Sequence, residues 1–211
     1  MVRRVYCSGP LFCPEEIASM NAIARVLEDA GFTTFLPHRD GLERYVLPFL
    51  NTPLSADILG MRDRIDRAIF ALDVYQIVQQ CDSFVLNMNG RVPDEGAVAE
   101  AGIAFALGRP LVIYKNDCRT AFDGRDNSMI TGLSVLDPVS DRGKIPSAIL
   151  EAEKLLGMPR PDLPGAISGN LARIAGKGEK IWRVMGSTPV QCLGRTDILP
   201  LFREIVEISG S

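Results

Sequence analysis

Residues 83–114 restrict the possible folds of this chain more than any other segment. Two short runs rich in large apolar residues, 83–88 and 111–114, flank a helix-length stretch, 96–108, that consists mostly of Ala and Gly. Such apolar runs are typical of strands buried on both faces, and two strands joined through a helix pair in parallel. The segment therefore predicts a βαβ unit in a parallel sheet that is covered by helices on both faces.

The alternation of strand and helix extends over the first 157 residues. Further strands are expected at 2–7 and 32–36, a fifth short strand near 134–136, and helices at 14–30, 61–80 and about 144–156. A polar loop is expected at 37–41 and an irregular excursion at 42–59, where Pro48 and Pro53 break any long helix. The predicted fold is α/β, a flavodoxin-like or Rossmann-like doubly wound parallel sheet of about five strands, in a domain at residues 1–157.

Residues 158–211 are expected to form a C-terminal helical extension. The extension opens with MPRPDLPG, a Pro-rich segment that resembles a linker. Beyond it, apolar residues recur at helical spacing in two stripes: Ile167, Leu171, Ile174, Ile181, Trp182 and Met185, then Leu201, Phe202, Ile205 and Val206. We expect these stripes to pack on the α/β domain or on a neighbouring subunit.

The loops after the first four strands should share one edge of the sheet, where doubly wound proteins bind their ligands. These loops are polar and lie at 9–12, 38–41, 89–94 and 116–132. The last loop is long, and long loops in compact domains are usually functional. A ligand site is therefore expected at this edge.

Composition excludes several classes of partner. The 211-residue chain has a net charge of -3 and a pI near 5.3, without a block of Lys and Arg, so neither a nucleic acid polymer nor an anionic membrane is expected as a partner. No apolar run is long enough to span a membrane, and the first residues do not resemble a signal peptide, so a cytoplasmic location is expected.

The sequence also gives no sign of a cofactor or a metal. No GxGxxG motif follows the first strand, which makes a nicotinamide or flavin site unlikely in such a fold. His38 is the only histidine, and the five cysteines are scattered without CxxC spacing. We therefore expect chemistry that needs neither a metal nor a cofactor.

Glu100 is the only charged residue within the stretch 96–108. Its helical neighbours, Gly96, Ala97, Ala104 and Leu107, cannot pair with a carboxylate. Burial of an unpaired carboxylate costs several kcal/mol, and perturbed carboxylates of this kind occur often at functional sites. The alternative is that Glu100 reaches solvent at the helix edge or pairs with a distant arginine.

Asp94 lies six residues before Glu100, at the start of the same predicted helix. A structural role there is to cap the helix by accepting backbone N–H groups. Its chemical role would be to share a site with Glu100, since one carboxylate can act as nucleophile while the other serves as acid and base, as in retaining glycoside cleavage. Asp82, at the start of a strand, is expected to be structural.

Four segments resemble, in order, the nucleoside 2-deoxyribosyltransferases: VYCSGPLF, DVYQIVQQCD, RVPDEGAVAEAGIAFALGRP and DNSMITG, within residues 2–136. The resemblance implies a pentosyltransferase in which Glu100 attacks C1′ of a 2′-deoxynucleoside and forms a covalent deoxyribosyl-enzyme. Asp94 would protonate the departing base, and a second free nucleobase would then attack the same carbon. The implied role is in nucleoside metabolism, in nucleotide salvage.

The resemblance also assigns substrate-binding residues: Tyr6, Gly9, Phe12, Asp73, Asn127 and Met129. Phe12 would stack on the base, and Asp73 would lie on the base side, although the spacing from Asp73 to Asp82 is one residue longer than in several relatives. Asn127 would reach the 5′-hydroxyl from a neighbouring subunit, which implies a homo-oligomer with shared active sites.

Two other functions are compatible with the same residues. The first is an N-glycoside hydrolase of 2′-deoxynucleosides or their 5′-monophosphates, with water as the acceptor; Arg39, Arg119 or Arg125 could bind the phosphate. Related hydrolases that prefer phosphorylated substrates tend to have small hydroxyl residues near the nucleophile. The run GAVA at 96–99 has none, so the resemblance favours the free nucleoside. The second is a non-catalytic nucleoside-binding or nucleotide-binding module.

Overall fold

The computed structural model describes residues 3–47, 60–90, 92–120, 123–157, 167–187 and 198–210. It divides into two compact units, Met1–Leu36 with Gln80–Ala166 and Pro37–Gln79 with Ile167–Ser211. We refer to them as the sheet unit and the helical unit. The sequence predicts one α/β domain over residues 1–157. The structure instead groups residues 37–79 with the C-terminal helices.

The helices and strands follow one another in the expected order. They are β1 (Arg4–Ser8), α1 (Pro14–Asp29), β2 (Thr33–Phe35), α2 (Pro37–Asp40), α3 (Glu43–Val46), α4 (Arg62–Tyr75) with a π-turn at Gln76–Gln80, β3 (Ser83–Asn87), α5 (Glu95–Ala106), β4 (Leu111–Tyr114), α6 (Ser128–Thr131), a 3-10 turn at Arg142–Lys144, α7 (Ile145–Leu156), α8 (Gly169–Ser187) and α9 (Ile198–Gly210). None of the helices in the described ranges has the length and apolar composition required to cross a bilayer.

The sheet unit is built on four parallel strands in the order β2-β1-β3-β4. Alternate residues of β1 face opposite sides. Val5 and Cys7 belong to an apolar cluster that includes residues of α1 and α7, whereas Tyr6 faces α5 through its hydroxyl group. Helices therefore cover both faces, and the expected doubly wound α/β fold is confirmed.

The expected fifth strand near 134–136 is wrong. Those residues form no strand, and within the described ranges the pairing beyond β4 is an isolated parallel bridge between Tyr114 and Val139. Ser134 instead donates its hydroxyl to the carbonyl oxygen of Leu111 over 2.8 Å. Because this short segment is fixed by a side chain, it does not form a continuous ladder with β4.

The helical unit consists of α2, α3, α4, α8 and α9. The polar loop expected at 37–41 is instead the short helix α2, and α3 lies within the segment expected to be irregular. Residues 48–59 of that excursion, and the predicted linker at 158–165, lie outside the described residues. The two predicted C-terminal helices are present, and they pack on α4 around Leu72, Ile181 and Phe202.

Candidate active site

Glu100 projects from α5 toward β1, where two hydroxyl groups donate to its carboxylate. The Tyr6 hydroxyl lies 2.8 Å from Oε1, and the Ser8 hydroxyl donates to Oε2. Both donors stabilise negative charge on the carboxylate. The side chain is half-buried. The residue that the sequence singled out thus lies against two oriented donors.

Tyr6 is fixed by its neighbours on the adjacent strands. The strand register places Tyr6 opposite Phe35 of β2 and Phe84 of β3. Its ring lies 5.2 Å from the Phe35 ring and 5.3 Å from the Phe84 ring, nearly parallel to the latter. A side chain held between two rings in a packed sheet keeps its hydroxyl in one place. The contact with Glu100 is therefore preorganised by the sheet.

Gly9 allows the end of β1 to approach the end of β3 closely. A Cβ atom at this position would lie 2.7 Å from Cβ of Asn87 and 2.8 Å from Sδ of Met20. No larger residue fits there without displacing one of these neighbours. Gly9 thus allows the chain to leave β1 close to β3 directly after Ser8. Its role beside the Glu100 carboxylate is therefore structural.

Asp94 is the N-cap of α5, and its Oδ1 accepts a hydrogen bond of 2.7 Å from the backbone N–H of Ala97. The expected capping role is confirmed. Six residues of α-helix separate Asp94 from Glu100 by about 9 Å along the axis. The structure brings Glu100 together with Tyr6 and Ser8.

Phe12, Asn127 and Met129 occupy the loops beyond the strand ends. The side chains of Phe12 and Met129 are 82% and 79% exposed, which is unusual for large apolar residues. Asn127 caps α6 by accepting a hydrogen bond of 2.9 Å from the N–H of Met129. The exposed side chains of Phe12 and Met129 are therefore accessible to a ligand or to another molecule.

A cavity of about 510 Å³ lies between the loops that follow β3 and β4. Its walls include Val98, Lys115, Asp126, Asn127 and Ile130. Glu100 does not line it: two residues of helix separate Glu100 from Val98, which is a rotation of about 200°. The cavity and the carboxylate are therefore on different sides of α5.

A hydrogen-bond network holds the loop after β4 against the loop after β3. Asn89 bonds to the side chain of Asn116 over 2.8 Å and to the backbone of Asp117 over 3.1 Å. Hydrogen bonds from the Arg119 side chain and backbone hold the pKa of Asp117 well below its usual range. Arg119, one of the arginines considered for phosphate binding, is therefore engaged with Asp117, and Lys115 pairs with Asp126.

A family model described as nucleoside 2-deoxyribosyltransferase matches residues 5–150. The chain belongs to this family. The match includes β1, α5 and α6, the elements that carry Tyr6, Glu100 and Asn127. No protein with a curated description matches the sequence.

Solved structures with a similar fold include two 2-deoxyribosyltransferases. A conserved protein from Enterococcus faecalis V583 is 18% identical, with a TM-score of 0.49, and the match covers 72% of this chain and 99% of that one. The 2-desoxiribosyltransferase from Leishmania mexicana is 18% identical, with a TM-score of 0.44 and coverages of 71% and 95%. The 2-deoxyribosyltransferase from Bacillus psychrosaccharolyticus is 19% identical, with a TM-score of 0.47 and coverages of 76% and 99%.

In this member of the nucleoside 2-deoxyribosyltransferase family, Asp73 is a buried residue of α4 in the helical unit. A π-turn at Gln76–Gln80 follows it. Each turn of this kind holds one more residue than an α-helical turn. The π-turn lies within the segment between Asp73 and Asp82. Asp82 accepts a hydrogen bond of 2.8 Å from the backbone of Arg4, which confirms its structural role.

Ser8 is a neighbour of Glu100 that was not among the predicted site residues. It appeared in the sequence only as part of the turn that ends the first strand. Tyr6 and Ser8 are two positions apart on β1, so they face the same side of the sheet. That spacing, combined with the prediction that Tyr6 is at the site, was the signal that could have identified Ser8.

No metal site accompanies these residues in the described ranges. No group of three or more His, Cys, Asp or Glu side chains is placed there to hold an ion. The side chains around the carboxylate are hydroxyls, aromatic rings and small residues. The chemical groups that the described site offers are thus carboxylates and hydroxyl donors.

Proposed function

We propose that this protein is a nucleoside 2-deoxyribosyltransferase with Glu100 as the nucleophile. The observation that carries the proposal is a half-buried carboxylate, on the residue that matches the family's nucleophile, held by the hydroxyls of Tyr6 and Ser8. Two hydrogen bonds orient the carboxylate and leave it able to bond to carbon when a sugar approaches. A carboxylate with only a structural role would not need such oriented support at the edge of a ligand-binding sheet.

The first step forms a bond between a Glu100 oxygen and C1′ of the deoxynucleoside while the C1′–N bond breaks. The departing base keeps the electron pair of that bond and takes a proton, which we assign to Asp94. Oδ1 of Asp94 is occupied by the Ala97 N–H, so Oδ2 is the oxygen that would carry this proton. Positive charge that develops at C1′ is stabilised by the adjacent carboxylate.

The second step reverses the first with a different base. A nitrogen of the incoming base attacks C1′, the ester bond to Glu100 breaks, and Asp94 receives the proton that the base releases. Two inversions on one carbon retain the configuration. A 2′-deoxy sugar lacks the hydroxyl that disfavours positive charge at C1′, so 2′-deoxynucleosides should react faster than ribonucleosides.

The remaining assigned residues would bind the substrate. Phe12 is exposed and could stack on the base. The exposed Met129 and the neighbouring Asn127 support a contact with a second copy of the chain, in which Asn127 reaches the 5′-hydroxyl of the neighbour's substrate. The active form would then be a homo-oligomer.

Incubation of the protein with deoxyinosine and free adenine tests the proposal. Deoxyadenosine and hypoxanthine should appear in equal amounts. Free deoxyribose that accumulates regardless of adenine would instead show an N-glycoside hydrolase, and no turnover would favour a binding module. Mass spectrometry of protein quenched during turnover should find one deoxyribose on the peptide that contains Glu100.

A further inference from the structure

The helical unit contains a second, smaller cavity of about 230 Å³. It is lined by Arg67 and Phe70 from α4, Arg173, Ile174 and Lys177 from α8, and Ser209 from α9. Residues 167–211 lie outside the part of the chain that the family model matches. Four of the named lining residues therefore lie outside the matched residues, whereas Arg67 and Phe70 lie within them.

Three cations line the cavity, and none of its described lining residues carries a carboxylate. Among the described residues, Arg67, Arg173 and Lys177 form no ion pair. Arg173 donates to the side chain of Asn170 over 2.9 Å, and Lys177 donates to the carbonyl oxygen of Ser209 over 3.2 Å. Both contacts are with neutral groups, so no acidic side chain in the described ranges neutralises these cations.

Two other cations of the same helices form ion pairs. Arg62 lies 3.9 Å from Asp66 on α4, and Arg183 lies 2.5 Å from Glu179 on α8. Such pairs at a spacing of four residues stabilise a helix slightly. Among the described residues no such pair involves the three cavity cations, and an anion bound between them would relieve the repulsion between their like charges.

The packing of α4, α8 and α9 fixes the backbones that carry the three cations. Gly178 lets α8 cross α4 closely, because a Cβ atom there would lie 2.0 Å from the carbonyl oxygen of Ala71. Arg67 lies one turn before Ala71, and Lys177 lies directly before Gly178. On the third helix, the Ser209 hydroxyl donates to the carbonyl oxygen of Arg64 over 3.0 Å. The backbones that carry the cations are therefore fixed relative to one another.

Phe70 adds an apolar surface beside the cations. Its side chain is 52% exposed and lines the same cavity. An anionic group among arginine and lysine side chains, with a flat or apolar body against an aromatic ring, is the chemistry of a phosphorylated small molecule. We propose that this cavity binds a phosphomonoester, with the phosphate between Arg67, Arg173 and Lys177 and the rest of the molecule against Phe70.

Isothermal titration calorimetry of the full chain at low salt tests the site with three probes: adenosine 5′-monophosphate, inorganic phosphate and adenosine. The monophosphate should bind most tightly, and inorganic phosphate should compete with it. Each phosphate contact is a charge-assisted hydrogen bond, so the double variant Arg67→Gln/Arg173→Gln should lower the affinity for the monophosphate about tenfold or more. Phe70→Leu should weaken binding of the monophosphate and leave that of inorganic phosphate unchanged.

The matched control is Lys180→Gln/Arg203→Gln, which removes the same charge from α8 and α9 outside the cavity. It should keep the affinity of the unaltered chain, and equal losses in both double variants would show general electrostatic attraction and overturn the site. The absence of monophosphate binding at millimolar concentration would also overturn it, as would adenosine binding as tightly as its monophosphate. Because neither arginine is part of the proposed reaction, the double variant should still transfer deoxyribose, so failure of the two proposals can be distinguished.

Discussion

Two partly or fully buried glutamate carboxylates, one in each unit, differ in the hydrogen-bond donors that surround them. Glu100 of the sheet unit receives hydrogen bonds from the hydroxyls of Tyr6 and Ser8. Glu43 of the helical unit has its Oε2 buried, with no hydrogen-bond partner in the described structure. Burial raises the pKa of Glu43 from 4.5 to about 7, although its own backbone N–H acts in the opposite direction.

The difference lies in what surrounds each carboxylate and not in how deeply it lies. Glu100 faces two side chains of β1 that a packed sheet holds in place. Glu43 lies in the four-residue helix α3, and its Oε2 would be 2.6 Å from a Cβ atom at Gly41. An oxygen with donors can carry charge in a buried place, whereas one without donors retains its proton to a higher pH. Only the first arrangement suits a nucleophile.

The largest expected effect in this comparison is the loss of the proposed nucleophile. Glu100→Gln keeps the size of the side chain and removes its ability to form an ester, so kcat for deoxyribose transfer should fall about 10³-fold or more. The control is Glu95→Gln, the same change on the same helix, which should retain most of the activity. Thermal unfolding of both variants should show a native fold. An active Glu100→Gln protein would refute the assignment.

The second effect is on stability. Because the folded state holds the Glu43 proton more tightly than the unfolded state does, the stability of the protein should fall as pH rises from 4.5 to about 7 and level off above it. Glu43→Gln has no charge to lose, so it should remove this decline and stabilise the protein at pH 8 by up to about 3 kcal/mol.

Urea unfolding at pH 5 and pH 8 measures the effect of Glu43→Gln. Asp66→Asn provides a control, since Asp66 is exposed on α4. A decline with pH that persists unchanged in Glu43→Gln would mean that another group causes it.

The sheet was predictable from sequence because its signals are local. The runs at 83–88 and 111–114 became β3 and β4, and the stretch between them became α5. The supposed strand near 134–136 failed because its backbone is held by the Ser134 side chain, which is a tertiary contact without a sequence pattern.

The candidate site was predictable in part. Glu100 stood out because it is a charge among alanines, and Asp94 because it precedes a helix. The partners of Glu100 lie more than ninety residues away on β1, and only the strand register shows that Ser8 joins Tyr6. The three cavity cations likewise come from two helices far apart in sequence, Arg67 from α4 and Arg173 with Lys177 from α8, so no single stretch of sequence reveals the cluster.

The smallest expected effect is the loss of one of the two hydroxyl donors to Glu100. It should lower activity less than the loss of the carboxylate itself does. Tyr6→Phe removes one hydroxyl while the ring stays between Phe35 and Phe84, so the fold should be retained. Because a hydrogen bond to a charged group contributes about 1.5–3 kcal/mol, kcat/KM should fall about tenfold or somewhat more, less than for Glu100→Gln.

The matched control for Tyr6→Phe is Tyr114→Phe, the same change at a buried position of β4, which should leave kcat/KM within about twofold because no contact with Glu100 is lost. Ser8→Ala should resemble Tyr6→Phe, since each variant leaves one hydroxyl on the carboxylate. If Tyr6→Phe and Tyr114→Phe retained equal activity, the hydroxyl groups would not be what separates Glu100 from Glu43. The explanation would then have to lie in the position of the carboxylate itself, at the edge of the sheet where a sugar can reach it.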